Sequence, residues 1–242
     1  VFMLSELIHN PFVNEDLLRR GLRYLQTDRG VPHTADGRAG SPALWDTLTP
    51  EDIVIIPAFG ATDDDKRRLV RKGIAVCQYD ATCMLVEKVW KAARAYGREG
   101  YTVVIHGKHE HEETKATTSQ ARAYGSGHYL VVFNLAETDY VCNYILNGGD
   151  KHEFLKKFEG AYSAGFDPDL HLQAVGVANQ TTMLRGETEE VQRRIKKAIE
   201  DRFGAPKLGD HFRFFDTICG ATQERQDALR DLLVNKMDLL IV

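Results

Sequence analysis

The chain has 242 residues, 43% of them hydrophobic and 27% charged, and its 31 lysines and arginines against 35 aspartates and glutamates give a net charge of −4. This composition is typical of a soluble globular protein and offers no broad basic surface, which argues against a general nucleic-acid-binding role. No stretch approaches the roughly 18 consecutive apolar residues of a membrane-spanning helix, so no membrane role is expected.

The first hundred residues alternate short apolar runs with stretches of helical period. A strand is predicted at 53–56 and a helix at 64–72, followed by a second apolar run at 74–76 and a helix at 85–95. Such alternation of strands and helices indicates mainly parallel sheets covered by helices, because parallel strands need a crossover between them. The predicted fold class is α/β.

The alternation continues through the rest of the chain. A polar stretch near 148 and another ending at 169 bracket a short helical insert at 153–162. The helix at 187–203 begins with acidic and continues with basic residues, which suits the helix macrodipole. The remaining predicted elements are strands at 102–105, 128–133 and 172–178, a helix at 136–146, a strand before Asp216 and a helix beginning near Thr222.

Both ends of the sequence suggest an internal fragment of a longer protein. The chain starts at Val1 without methionine and stops at the apolar run 237–242, which is interpreted as a buried strand. Natural domains rarely end on a core strand with nothing after it. We therefore expect further sequence on both sides.

Two cysteines share one sequence context. Residues 80–83 read Asp-Ala-Thr-Cys and residues 216–219 read Asp-Thr-Ile-Cys, each between a predicted strand and a predicted helix. A thiolate at a helix N-terminus is stabilised, which suits nucleophilic catalysis or metal ligation, whereas a single cysteine is also a common core residue. The repeated aspartate favours a shared site for Cys83 and Cys219, and Cys77 and Cys142 are predicted to be core.

The four scattered cysteines do not suggest a disulfide framework. Free thiols of this kind fit a reducing compartment.

Histidines and glutamates cluster at 105–114, after a predicted strand. His106, His109 and His111 could bind zinc in a mononuclear hydrolase, although their spacing is not that of a helical zinc motif. Histidine donors could equally bind an anion, with a neighbouring carboxylate moving protons. A solvated charged loop is the alternative.

Two further segments are ambiguous alone. Residues 179–183, Asn-Gln-Thr-Thr-Met, present two amides and two hydroxyls after a predicted strand, which fits either a ligand site or a helix cap. Near the start, His9 stands alone before a proline.

Taken together, these segments resemble the 4-hydroxy-3-methylbut-2-enyl diphosphate reductases, the LytB-type iron–sulfur reductases, in family order across nearly the whole chain. The variant Pro-Ala-Phe-Gly, with Phe59 where other branches have histidine, resembles the plastid and cyanobacterial branch, and Met84 departs from the usual proline. The matching segments are Glu-Leu-Ile-His-Asn-Pro (6–11), Pro-Ala-Phe-Gly-Ala (57–61), Asp-Ala-Thr-Cys (80–83), Lys-Val-Trp (88–90), His-Gly-Lys (106–108), His-Glu-Glu-Thr (111–114), Asn-Gln-Thr-Thr-Met (179–183), Gly-Glu-Thr-Glu-Glu (186–190), Asp-Thr-Ile-Cys (216–219) and Ala-Thr-Gln-Glu-Arg-Gln (221–226).

The resemblance implies an α/β trefoil of three similar lobes, each a small mainly parallel sheet flanked by helices, around a central [4Fe–4S] cluster. Residues 1–83 would be the first lobe without its N-terminal part, 84–213 the middle lobe with a helical insert near 148–169, and 214–242 the start of the third lobe. Cys83 and Cys219 would be two of three cluster ligands. The third cysteine is expected before Val1, and a diphosphate-binding Ser/Asn motif is expected after residue 242.

The resemblance also implies the reaction and the residue roles. The allylic diphosphate substrate would be reductively dehydroxylated to isopentenyl and dimethylallyl diphosphate, the last step of the methylerythritol phosphate pathway. Glu113 would donate the proton, and Thr181 would position the substrate hydroxyl and relay a proton to or from Glu113. Thr181 and its neighbour Thr182 would bind the substrate, and His9 and His111 would be charged donors to the diphosphate.

The same resemblance implies a ferredoxin-like or flavodoxin-like electron donor and a cytoplasmic location, or the plastid stroma in a photosynthetic eukaryote. The isolated fragment is expected to be inactive. A zinc-dependent hydrolase and a phosphate-binding α/β module remain the alternative functions.

Overall fold

The computed structural model describes residues 1–125 and 127–241, in which strands and helices alternate as the sequence predicts. The strands are β1 (Phe2–Met3), β2 (Arg23–Tyr24), β3 (Val54–Ile55), β4 (Thr102–His106), β5 (Tyr129–Val132), β6 (Val175–Asn179) and β7 (Phe212–Phe214). The helices are α1 (Pro11–Arg19), α2 (Leu44–Thr47), α3 (Asp63–Arg71), α4 (Met84–Arg98), α5 (Glu112–Ala121), α6 (Leu135–Asn147), α7 (Lys151–Lys157), α8 (Pro168–His171), α9 (Arg185–Phe203), α10 (Leu208–His211) and α11 (Gly220–Leu233).

The first sheet has the strand order β2-β1-β3, and all of its strands are parallel. Its core is built around Trp45, which is fully buried. Helix α3 begins after the N-cap Thr62 with three aspartates in its first turn and ends with arginines, as the macrodipole favours. The loops that follow β1 and β3 carry His9 and Phe59.

The second sheet has the order β5-β4-β6-β7 and is also parallel throughout. Every residue of β4 and β6 is buried, which explains why neither strand alternates between apolar and polar residues. Helices α4 and α5 pack against each other, as do α6 and α9. The α/β class with parallel sheets flanked by helices is therefore confirmed.

The helical insert packs against the second sheet. Asp150 caps α7 by accepting hydrogen bonds from the backbone N–H groups of His152 and Glu153. Phe154 and Phe158 are buried and join the core of the second sheet. The predicted helix at 153–162 is thus present but shorter, and the segment after it closes through a turn.

Two predicted strands are wrong. Residues 74–76 form no strand, because the chain turns into a 3-10 helix at Cys77–Tyr79 and pairs with the first sheet only through an isolated bridge between Ile56 and Asp80. Residues 237–241 also form no strand, since no described strand lies beside them, and Leu239 and Ile241 are exposed. Val242 lies outside the described residues.

Among residues 1–125 and 127–241, no helix is both long and apolar enough to cross a membrane.

Candidate functional site

The candidate site lies at the carboxyl ends of β4 and β6, where parallel α/β sheets commonly place ligands. These strands pair so that His106 and Asn179, their last residues, lie opposite each other. Helix α5 starts shortly after β4, and its N-cap His111 places Glu113 in the first turn. The sheet thereby brings two segments about 70 residues apart in sequence to one edge.

Glu113 and Thr181 form the centre of the site. The backbone N–H of Thr181 donates to Oε1 of Glu113 at 2.5 Å, and the Thr181 hydroxyl donates to Oε2 at 2.9 Å. Glu113 is fully buried, and this burial raises its pKa to about 7 even though both Thr181 hydrogen bonds favour the charged form. A carboxyl group with this pKa can hold and release a proton near neutral pH, and the hydroxyl beside it is placed to pass that proton on.

Gln180 organises the loop that carries Thr181, a role that the sequence analysis did not assign to it. Its Oε1 accepts from the backbone N–H of Lys108 at 3.0 Å, and its Nε2 donates to the Thr182 hydroxyl at 2.6 Å. Gln180 therefore ties the ends of β4 and β6 together. Thr182 is exposed and contacts Gln180 rather than Glu113.

The second part of the site is a hydrogen-bonded pair of histidines, His9 on the loop after β1 and His111 at the start of α5. Nε2 of His9 and Nε2 of His111 lie 2.8 Å apart, and the ring of Phe59 stacks on His9 with centroids 4.1 Å apart. Nδ1 of His111 accepts from the backbone N–H of Glu113 at 3.1 Å. The predicted anion-binding histidines are thus brought together, directly beside Glu113.

The electrostatics of His111 differ from the sequence-based expectation of a charged donor. Burial, then the neighbouring His9 and Lys108, lower the pKa of His111 to about 4. The ring is therefore neutral at pH 7, and because Nδ1 accepts a hydrogen bond, its proton lies on Nε2. In this state His111 donates one neutral N–H, and a bound anion would be needed to favour the charged form.

Cys83 is placed by an Asx turn in the segment between α3 and α4. Oδ1 of Asp80 accepts from the backbone N–H of Thr82 at 3.0 Å, and Lys66 donates to Oδ2 at 2.8 Å. Burial alone would raise the pKa of Asp80, but the hydrogen bonds from Lys66 and Thr82 outweigh it and hold the pKa below its usual value. Cys83 itself is exposed and is the N-cap residue of α4, with no side-chain capping hydrogen bond.

Cys219 repeats this arrangement. Oδ1 of Asp216 accepts from the backbone N–H of Ile218 at 3.2 Å, and Cys219 is the N-cap of α11, again without a side-chain capping bond. The intervening Thr217 is buried and its hydroxyl donates to Oδ1 of Asn179 at 2.5 Å. This bond attaches the Cys219 loop to the end of β6, two residues before Thr181.

The two thiols therefore fit a soft metal centre in their chemistry, although they do not complete one. Both lie at helix N-termini, where a thiolate is favoured, and neither sulfur caps its own helix. Within the described parts of the chain, no three His, Cys, Asp or Glu side chains group closely enough to hold a metal ion. A centre at Cys83 and Cys219 would need a ligand from elsewhere.

The predicted zinc alternative is not formed by these residues. His106 is buried and its Nδ1 lies 2.8 Å from the Thr188 hydroxyl, whereas His109 is exposed and His111 contacts His9. Burial lowers the pKa of His106 to about 4, as expected for a neutral core histidine. The three rings serve separate contacts because the chain turns between them into α5.

The other two cysteines differ from each other. Cys77, predicted as core, is exposed because its segment forms the 3-10 turn described above. Cys142 is partly buried against the second core, as predicted, and burial raises the pKa of its thiol to about 12. Neither adjoins the Glu113–Thr181 pair through any hydrogen bond among the described residues.

Comparisons with known proteins show which family the chain resembles. The model of the LytB protein family matches residues 1–242. Curated 4-hydroxy-3-methylbut-2-enyl diphosphate reductases of Gloeothece citriformis and Gloeobacter violaceus are 46% and 45% identical over 242 residues, covering the whole chain but only 56% and 55% of the relatives. The chain thus spans about half the length of the curated relatives it matches.

Solved structures show the same relationship. A structure of (E)-4-hydroxy-3-methyl-but-2-enyl diphosphate reductase, described as the terminal enzyme of the non-mevalonate pathway, matches 96% of this chain and 62% of its own, with a TM-score of 0.61 and 25% identity. The E-1-hydroxy-2-methyl-but-2-enyl-4-diphosphate reductase of Plasmodium falciparum shares the fold, with a TM-score of 0.62 at 18% identity over 97% of this chain and 56% of its own. The predicted α/β trefoil class is confirmed by this likeness, and the division of the chain into lobes stays a prediction.

Proposed function

The chain belongs to the LytB protein family, and from this premise we propose that it reduces (E)-4-hydroxy-3-methylbut-2-enyl diphosphate to isopentenyl diphosphate and dimethylallyl diphosphate. The observation that carries the proposal is the buried Glu113–Thr181 pair, joined to the His9–His111 pair through the backbone of Glu113. A proton source and an anion-binding pair therefore adjoin, as the removal of a hydroxyl from an allylic diphosphate requires.

The overall reaction takes up two electrons and two protons and replaces a C–O bond with a C–H bond, releasing water. Protonation of the leaving hydroxyl is the step that this chain's residues can assist. Glu113, with its pKa near 7, holds the proton, and the Thr181 hydroxyl orients the substrate oxygen and relays the proton to it. Because the carboxyl group of Glu113 is fully buried, bulk water does not reach its proton.

His9 and His111 would bind the diphosphate. A diphosphate beside them would accept hydrogen bonds from their imidazole N–H groups, and its negative charge would strengthen these bonds. Thr182 would line the same loop, held by Gln180. Lys108 and Arg29 line the neighbouring cleft of about 560 Å³, which His111 borders.

LytB reductases are iron–sulfur enzymes, and we propose that Cys83 and Cys219 hold a [4Fe–4S] cluster together with a third cysteine outside these 242 residues. The support is the pair of matched Asx turns, each presenting a cysteine at a helix N-terminus. When bound, such a cluster supplies electrons one at a time together with a Lewis-acidic iron. Asn179 and Thr217 would keep the Cys219 loop against the Thr181 loop.

We further propose a ferredoxin-like or flavodoxin-like electron donor and a location in the cytoplasm or the plastid stroma. The support is the resemblance to cyanobacterial reductases, such as the Gloeothece protein. The electron donor and the location are both inferred from family membership alone.

The direct test uses the complete gene product that carries these residues, reconstituted anaerobically with iron and sulfide. We expect a brown protein that converts the hydroxylated diphosphate into the two isoprenoid diphosphates when supplied with a low-potential reductant. Iron binding without product would refute the activity. Diphosphate binding without iron would favour a binding module, and phosphate release with bound zinc would favour a hydrolase.

A further inference from the structure

The feature of interest is the way in which His9 is held. His9 is exposed on the loop after β1, and its ring makes a hydrogen bond only to His111 among the described residues. One face of the imidazole lies on Phe59, with an interplanar angle of 26°. The edge of His111 also meets Phe59, with centroids 5.6 Å apart. The three rings form a closed triangle.

Phe59 is itself fixed by a tight turn. The N–H of Gly60 donates to the carbonyl of Pro57 at 2.9 Å, and Gly60 has φ +83°. A Cβ at Gly60 would lie 2.0 Å from an indole carbon of Trp90, so the turn sits directly against helix α4. Phe59 is only 9% exposed. Its ring is therefore a rigid platform and not a mobile surface side chain.

Ala58 ties this turn to two other parts of the site. Its N–H donates to the carbonyl of Leu7 at 3.1 Å, two residues before His9, and its carbonyl accepts from the backbone N–H of Cys83 at 3.0 Å. Backbone hydrogen bonds thus connect the loop that carries His9, the turn that carries Phe59 and the start of α4. None of these bonds orients the His9 ring, so its rotamer depends on Phe59 and His111.

The hydrogen bonds also set the direction of the protons. Because Nδ1 of His111 accepts from the N–H of Glu113, its own proton lies on Nε2 and is donated to Nε2 of His9. Because Nε2 of His9 accepts this bond, the ring proton of His9 lies on Nδ1. That N–H has no partner among the described residues and is the free donor of the pair.

We propose that Phe59 is a positioning residue: its ring holds His9 in the single rotamer and tautomer that leave the Nδ1–H of His9 free to donate to the diphosphate of the substrate. The proposal rests on the function proposed above for the substrate's identity, but the arrangement of the three rings is independent of it. Without the platform, His9 would sample several rotamers, and binding an anion would have to immobilise it.

The test compares variants of the complete gene product that carries these residues, by nitrogen-15 NMR of the histidine rings and by calorimetric titration with inorganic diphosphate. Phe59→Tyr keeps the flat ring, and Phe59→Leu keeps apolar bulk but loses the stacking face. Phe158→Leu is the matched control, because Phe158 is also buried, in the core of the second sheet, and its ring contacts Tyr140 and Phe154 instead of the two histidines. It reports the effect of a general loss of packing.

We expect the wild type, Phe59→Tyr and Phe158→Leu to show one tautomer for each ring, with the proton on Nδ1 of His9 and Nε2 of His111. Phe59→Leu should average the His9 tautomers and weaken diphosphate binding by about 3- to 10-fold, the range for immobilising one side chain. The proposal is overturned if Phe59→Leu matches the wild type, if Phe158→Leu has the same effect, or if the wild type binds no diphosphate.

Failure of the proposed function gives a different pattern. Ordered tautomers and Phe59-dependent diphosphate binding, together with no reduction by the reconstituted complete gene product, would leave the role of Phe59 in place and remove the reductase assignment. If the wild type reduces the substrate while its His9 tautomers are averaged, the reductase assignment would stand and the role of Phe59 would be removed.

Discussion

Replacing Glu113 with glutamine should change the pH dependence of stability in a direction fixed by its burial. Burial of the carboxyl group raises the pKa of Glu113 from its ordinary value of 4.5 to about 7. As pH rises above 4.5, the unfolded chain loses this proton first, so ionisation favours unfolding. The contribution to stability is full below pH 4.5 and is lost as pH approaches the folded pKa near 7.

The size of the effect follows from the shift. At about 1.4 kcal/mol per pKa unit, the rise to about 7 corresponds to a loss of about 3 kcal/mol between pH 4.5 and pH 8. Glutamine cannot ionise, so Glu113→Gln lacks this loss. Relative to the wild type, the variant should therefore gain about 3 kcal/mol of unfolding free energy over this pH range. The contributions of the other titrating groups are the same in the variant and the wild type and cancel in the difference between their unfolding free energies.

The assay is urea unfolding of both chains at pH 5 and pH 8, with Glu190→Gln as a control of opposite sign. Hydrogen bonds from Arg193 and Arg194 lower the pKa of Glu190 to about 2, so its contribution is lost only as pH falls below the unfolded value. The difference between Glu190→Gln and the wild type should thus stay flat from pH 5 to pH 8. A flat difference for Glu113→Gln as well would refute the raised pKa.

Three further changes test separate parts of the site. In the reconstituted complete gene product, Cys83→Ser or Cys219→Ser should abolish retention of iron, measured per chain, because a hydroxyl is a poor ligand for iron in a cluster. The control Cys142→Ser should retain its iron. Loss of iron from Cys142→Ser without unfolding would mean that the wrong cysteines were assigned. His111→Ala should weaken binding of inorganic diphosphate by about 10- to 100-fold through loss of a donor to a charged group, and unchanged calorimetric affinity would remove His111 from the anion site. Gly60→Ala should lower the melting temperature, since it adds a clash with the indole ring to a strained backbone conformation, and a wild-type melting curve would contradict the tight turn.

Most of the second sheet and its helices can be predicted from the sequence because these elements have clear periods. The buried parallel strand β4 is a β-branched run up to its final histidine, and α9 carries its charges in the order that the macrodipole favours. Of the first sheet only β3 is predicted, since β1 and β2 have only two residues each and show no period. Their pairing depends on contacts distant in sequence.

The site divides in the same way. The contexts of Cys83 and Cys219 could be recognised because the Asx turn is local and leaves its aspartate in the sequence. The burial of Glu113 could not be predicted, because in the sequence a run of histidines and glutamates is indistinguishable from a solvated loop. This side chain is buried only once α5 packs against α4. His9 and His111 are 102 residues apart, and no local pattern indicates their contact.

The role of Glu113 as proton donor is the central claim, and single-turnover kinetics test it most directly. Glu113→Gln in the reconstituted complete gene product should retain the cluster and bind substrate while lowering the rate of hydroxyl loss by about 10²-fold or more. Glu112→Gln is the control, since burial also raises the pKa of Glu112 to about 7 but its carboxyl group does not contact Thr181. It should stay within a few-fold of the wild type. A Glu113→Gln enzyme that keeps the wild-type rate, or a Glu112→Gln enzyme that loses it instead, would contradict the account.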